Sequence, residues 1–148
     1  MVCVNNSCAF LYPRLCYTFP MPNQKILLVE DSEPLRKVLA EKLVDENFEV
    51  FTAGGGEEAL KVVEEQHPDM IITDIVMFPM DGLELAKQVR ESGPWGEKVF
   101  IFALTNQNSA EEEARLKTLR LDAYLVKAET GLDDVVKQVK NIFKDKKK

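Results

Sequence analysis

Five side chains in this sequence could do chemistry together: Glu30, Asp31, Asp74, Thr105 and Lys127. The central one is Asp74. It closes the apolar run Met70-Ile-Ile-Thr-Asp74, which has the composition of a strand buried on both faces. Directly afterwards the chain turns into Phe78-Pro79 and Asp81-Gly82, which are loop and turn signals. A carboxylate is therefore expected at the C-terminal mouth of a central parallel strand, where open α/β sheets bind ligands. An aspartate at a strand end commonly does no more than close the strand. The nucleophile reading, in which Asp74 accepts a phosphoryl group, rests on the company it keeps.

That company stands at the ends of other apolar runs. Lys25-Ile-Leu-Leu-Val29 leads into Glu30-Asp31, Lys98 to Leu104 leads into Thr105, and Ala123 to Val126 leads into Lys127. In a parallel sheet all these ends share one edge, so three carboxylates, a hydroxyl and an ammonium would meet in one crevice. Like charges that close raise carboxylate pKa values and destabilise the site unless a cation joins them. Magnesium fits best, because it takes one or two carboxylates, keeps waters and completes its shell with phosphate oxygens. It would sit on Asp31, with Glu30 acting directly or through water, while Lys127 and Thr105 each serve a phosphoryl oxygen.

Helices of regular spacing separate these runs. Ser32 is positioned to cap the first, with Pro34 in its first turn and Leu35, Val38, Leu39 and Leu43 as its apolar face. Phe48 to Ala53 reads as a second strand. Gly54-Gly55-Gly56 lacks the spacing of a nucleotide-binding loop and reads as a turn into a helix carrying Ala59, Leu60 and Val63. The helix after Asp74 places Leu85, Ala86 and Val89 inward and stops near Ser92-Gly93-Pro94. Ser109 opens a fourth helix, whose Glu111, Glu112 and Glu113 suit the helix dipole. Leu132, Val135, Val136, Val139, Ile142 and Phe143 face inward from a last one. Strict strand–helix alternation predicts an α/β fold with a parallel sheet covered on both faces.

The 148 residues suit one domain. A formal net charge of −6 argues against non-specific nucleic-acid binding, and no apolar run reaches the length of a membrane span. Cys3, Cys8 and Cys16 all lie near the start, an odd set that forms neither a disulfide framework nor a zinc site. Residues 1–24 are expected to be an extension, disordered or arising from a mis-assigned start, with Met21 as a second plausible start. They lack the basic n-region of a signal peptide. His67, before Pro68, is expected exposed at a helix end, and Lys144 and Lys146 to Lys148 form a solvated end.

Over Lys25 to about Phe143 the chain resembles the receiver domain of bacterial two-component response regulators, of the single-domain, chemotaxis-regulator-like kind. The matching pieces are Ile26-Leu-Leu-Val-Glu-Asp31, Asp74-Ile-Val-Met-Phe-Pro-Met-Asp-Gly82, Ala103-Leu-Thr105 and Tyr124-Leu-Val-Lys127. The resemblance implies a receiver domain over residues 25–148 with a flavodoxin-like, doubly wound five-stranded sheet in order 2-1-3-4-5. It implies Asp74 as phosphoacceptor, and Glu30, Asp31, Asp74 and the Val76 backbone carbonyl as magnesium ligands. Thr105 and Tyr124 would form the switch pair. The donor would be a phosphohistidine on a sensor histidine kinase or phosphotransfer protein, or a small phosphodonor. Little follows the last helix, so output is expected through protein docking on the face of the fourth helix, fifth strand and last helix, in the cytoplasm, with no nucleic acid and no membrane.

The chain departs from the family pattern in three places. Ala128 stands where proline usually follows the lysine, Phe78-Pro79 displaces the proline after the phosphoacceptor, and Arg120 replaces a helix-ending glycine. Two other readings compete with this one. A pseudo-receiver, binding without phosphorylation, would not need to keep Glu30, Asp31 and Lys127. An aspartyl phosphohydrolase would usually carry a second acid two residues after the nucleophile, and that position is Val76.

Overall fold

The computed structural model describes residues 23–106 and 110–146. In chain order they form β1 (Lys25–Val29), α1 (Glu33–Asp45), β2 (Glu49–Ala53), α2 (Gly56–Gln66), β3 (Met70–Asp74), α3 (Gly82–Glu91), α4 (Pro94–Lys98), β4 (Phe100–Thr105), α5 (Ala110–Thr118), β5 (Ala123–Val126) and α6 (Leu132–Lys146). A 3-10 turn over Lys127–Glu129 links β5 to α6. The strands make one sheet in the order β2-β1-β3-β4-β5, and every pairing is parallel.

Side chains alternate across a strand, and here both sides are covered. Ile26, Leu28, Met70, Ile72, Phe102 and Leu104 pack under Leu39 and Leu43 of α1 and Val135, Val136, Val139 and Phe143 of α6. The intervening Leu27, Val29, Ile71 and Ile101 meet Ala59 and Val63 of α2 and Leu85, Ala86 and Val89 of α3. That explains why these strands read as unbroken apolar runs rather than alternating ones. Burying a leucine as completely as Leu27 or Leu28 contributes about 1.5–3 kcal/mol. Leu116 of α5 joins Ala103, Ile75 and Leu83 in a smaller cluster.

Several sequence expectations need correction. The chain does not pass from α3 straight into a strand at Lys98. Gly93 takes a left-handed φ of 124°, Pro94 then starts the extra helix α4, and β4 begins only at Phe100. Proline at a helix start is favourable because its missing N–H has no helical partner there, so Pro94 marked a beginning as well as a stop. Val38 is 48 % exposed and does not belong to the inner face of α1. Ser32 precedes α1 without a side-chain cap bond. β2 starts at Glu49, and Phe48 is buried in the turn before it. Ser109 and residues 1–22 lie outside the described residues.

Arg120 does adopt the left-handed backbone of the glycine it replaces, with φ 52°. His67 is exposed at the end of α2, as expected, where it also meets Trp95 edge-on. Among the described residues no helix is long and apolar enough to cross a membrane.

Candidate functional site

The strand register brings the sequence-identified residues to one edge. Val29 pairs with Thr73, so Glu30 follows on beside Asp74, and the Glu30 N–H still donates to Ala53 at 3.1 Å. Asp74 pairs with Leu104 and Thr105 with Val126, which delivers Thr105 and Lys127 to the same end of the sheet.

Lys127 ties the crevice together. Its ammonium donates to Glu30 Oε2 at 2.7 Å and to Asp74 Oδ2 at 2.8 Å. The remaining oxygens accept from backbone: Ser32 N–H to Glu30 Oε1 at 3.2 Å and Val76 N–H to Asp74 Oδ1 at 3.3 Å. Glu30, Asp74 and Thr105 are at most 3 % exposed, whereas Asp31 faces solvent. Burial raises the Glu30 pKa, and the Lys127 contact only partly offsets this. For Lys127 burial works against the charge, yet hydrogen bonds to Asp74 and Glu30 outweigh it and the pKa is raised. The ammonium thus supplies part of the positive charge that the crowded carboxylates require.

It does not supply all of it. Glu30, Asp31 and Asp74 each offer a carboxylate oxygen, and these lie within 4.8 Å of one another. Three carboxylates against one ammonium leave a net negative crevice of hard oxygen donors, the set that suits magnesium. The residues present therefore fit that ion.

Two other features shape the rim. α3 starts close beneath Asp74, where a Cβ on Gly82 would lie 2.1 Å from the Asp74 carbonyl oxygen. Gly82 also donates its N–H to Ile75 at 2.9 Å, and Asp81 caps α3 through Glu84 N–H at 2.7 Å. These bonds close the loop from Ile75 to Asp81, leaving Val76 58 % and Phe78 92 % exposed at its tip. Among the described residues the one cis peptide bond is Phe78–Pro79, so Lys127–Ala128 is trans, and the ammonium still reaches both carboxylates.

Tyr124 is half-buried against the cluster of Ile75, Leu83, Ala103 and Leu116. Thr105 Oγ1 donates to Glu112 Oε2 of α5 at 3.2 Å. Sequence reasoning missed three supporting residues. The sequence marks Glu112 only as a helix-dipole partner. Gly82 shows there only as part of a turn. Arg36, which donates to the Glu30 carbonyl at 2.7 Å, gave no sequence signal.

Comparison with known proteins agrees with this geometry. The family model for the response regulator receiver domain matches residues 26–140. The chain is 36 % identical over 105 residues to a protein-glutamate methylesterase/protein-glutamine glutaminase of Syntrophomonas wolfei, covering 70 % of this chain and 29 % of that protein. It is 42 % identical over 69 residues to the alkaline phosphatase synthesis transcriptional regulatory protein PhoP of Bacillus subtilis, covering 47 % of this chain and 29 % of the relative. The chain thus spans under a third of the length of these two relatives. Among solved structures, the chemotaxis protein CheY4 of Vibrio cholerae superposes with a TM-score of 0.75 at 31 % identity, covering 80 % of this chain and 98 % of that one. With its flavodoxin-like strand order and acidic crevice, the chain belongs to the response regulator receiver domain family, the signalling domain of two-component phosphorelays.

Proposed function

We propose that Asp74 is the phosphoacceptor of this receiver domain, with magnesium held by Glu30, Asp31, Asp74 and the Val76 backbone carbonyl. The observation that carries the reading is the Lys127 ammonium bridging Glu30 and Asp74 while Asp31 stands within ligand distance of both. In transfer, a carboxylate oxygen of Asp74 attacks phosphorus. The bond from phosphorus to the donor atom breaks, its electron pair leaves with the donor, and an acyl phosphate forms. Bound magnesium would supply positive charge to the transferring group. Lys127 offers its ammonium, and Thr105 its hydroxyl, to phosphoryl oxygens.

The donor chemistry that fits is a phosphohistidine on a sensor kinase or phosphotransfer protein, or a small acyl phosphate, in the cytoplasm. Thr105 and Tyr124 would relay the change to a protein-docking face formed by α5, β5 and α6. The half-buried residues of the edge strand β5 support that choice.

Incubation with magnesium and acetyl phosphate, read by intact mass, tests the proposal. One phosphoryl group should add to the wild-type chain and none to Asp74→Ala. No addition to wild type, or undiminished addition to Asp74→Ala, overturns it.

A further inference from the structure

The Thr105 hydroxyl has one proton to donate, and in this structure Glu112 Oε2 accepts it at 3.2 Å. A phosphoryl oxygen on Asp74 would need the same proton. The two acceptors therefore compete, and both are anionic, so a phosphoryl group near Thr105 would also repel the Glu112 carboxylate. Glu112 sits in the first turn of α5, a helix whose single fully buried described residue is Leu116. An element with so little buried apolar surface is inexpensive to move. The chain just past its far end is fixed. The half-buried Arg90 guanidinium donates to the Leu119 carbonyl at 3.4 Å and to the Arg120 carbonyl at 2.8 Å.

We propose that Glu112 is a positioning residue that holds Thr105 away from the phosphoryl site in the resting state, so that phosphorylation releases the start of α5 to pivot about its Arg90-anchored end. The inference rests on the phosphoacceptor reading and adds a residue to it. It makes Glu112 a brake: the Thr105–Glu112 bond must break before Thr105 can serve the phosphoryl group. A ligand that gains by breaking that bond binds more tightly once the bond is gone.

Beryllofluoride with magnesium, an inert mimic of the aspartyl phosphate, provides the test by calorimetric titration. Glu112→Ala should bind it on the order of five-fold more tightly than wild type, the worth of one ordinary hydrogen bond. Removing a carboxylate near an anion would also favour binding without any role for Thr105, so the same substitution is made in Thr105→Ala. There the gain should vanish, because no hydroxyl remains to be released. Unchanged affinity in Glu112→Ala, or an equal gain with Thr105 absent, overturns the inference and leaves the phosphoacceptor reading standing. Failure of wild type to bind the mimic overturns that reading itself.

Discussion

The Lys127 ammonium lies 2.8 Å from Asp74 Oδ2 across 53 residues of chain, and it reaches Glu30 Oε2 as well. One cation thus pairs with two buried acids whose carboxylates form no ion pair with any other described lysine or arginine.

Removing it should cost stability as well as chemistry. In Lys127→Ala, Glu30 and Asp74 stay buried without their counter-ion, and breaking such a pair typically costs about 3–5 kcal/mol. Urea unfolding should report a loss at the lower end of that range, since the lysine side chain is 19 % exposed. Magnesium should restore part of the loss: at a hundred times its dissociation constant a ligand adds about 2.7 kcal/mol.

Asp31 separates folding from ion binding. It is exposed, so Asp31→Asn should leave the melting temperature in metal-free buffer unchanged. Losing one of three carboxylates should weaken magnesium on the order of ten-fold, about 1.4 kcal/mol, and slow phosphoryl uptake with it. Calorimetric titration is the suitable measurement. Trp95 packs against His67 at the opposite edge of the sheet and will report poorly on the site.

Gly82→Ala should damage the crevice without touching any of its functional groups. The added methyl would lie 2.1 Å from the Asp74 carbonyl oxygen, and the clash is with backbone, which cannot step aside as a side-chain tip can. A destabilisation near or above the upper end of ~1–3 kcal/mol is expected, together with reduced phosphoryl uptake in the folded fraction.

Arg120→Gly should do the reverse. A left-handed residue with a Cβ costs roughly 1–2 kcal/mol, and glycine returns part of that gain as chain entropy. The variant should be more stable by up to about 1 kcal/mol in urea, and the Arg90 bond to the residue 120 carbonyl should persist.

Much of this was legible in the sequence. β1 and β3 run over the residues expected, because strands covered on both sides show as uninterrupted apolar runs with a charged stop. The convergence of Glu30, Asp31, Asp74 and Lys127 followed from parallel topology alone. What stayed hidden depended on distance in space. Glu112 and Arg36 look like any solvated helix residues until the fold sets Thr105 and the Glu30 carbonyl beside them. Val38 matched the helical period, but the buried stripe of α1 is narrower than that period allows, with only Leu39 and Leu43 fully inside. α4 is a single short turn of helix, below the length at which periodicity can speak.

The strand order has one last consequence. β1 and β3 are flanked by neighbours on both sides, and β3 is buried throughout, whereas every residue of β5 is only half-covered. The acids that would bind thus hang from the stiff middle of the molecule, and the lysine that answers them hangs from its perimeter. A disturbance in the crevice would meet a less covered outer strand than the inner ones, and that strand belongs to the face proposed for docking.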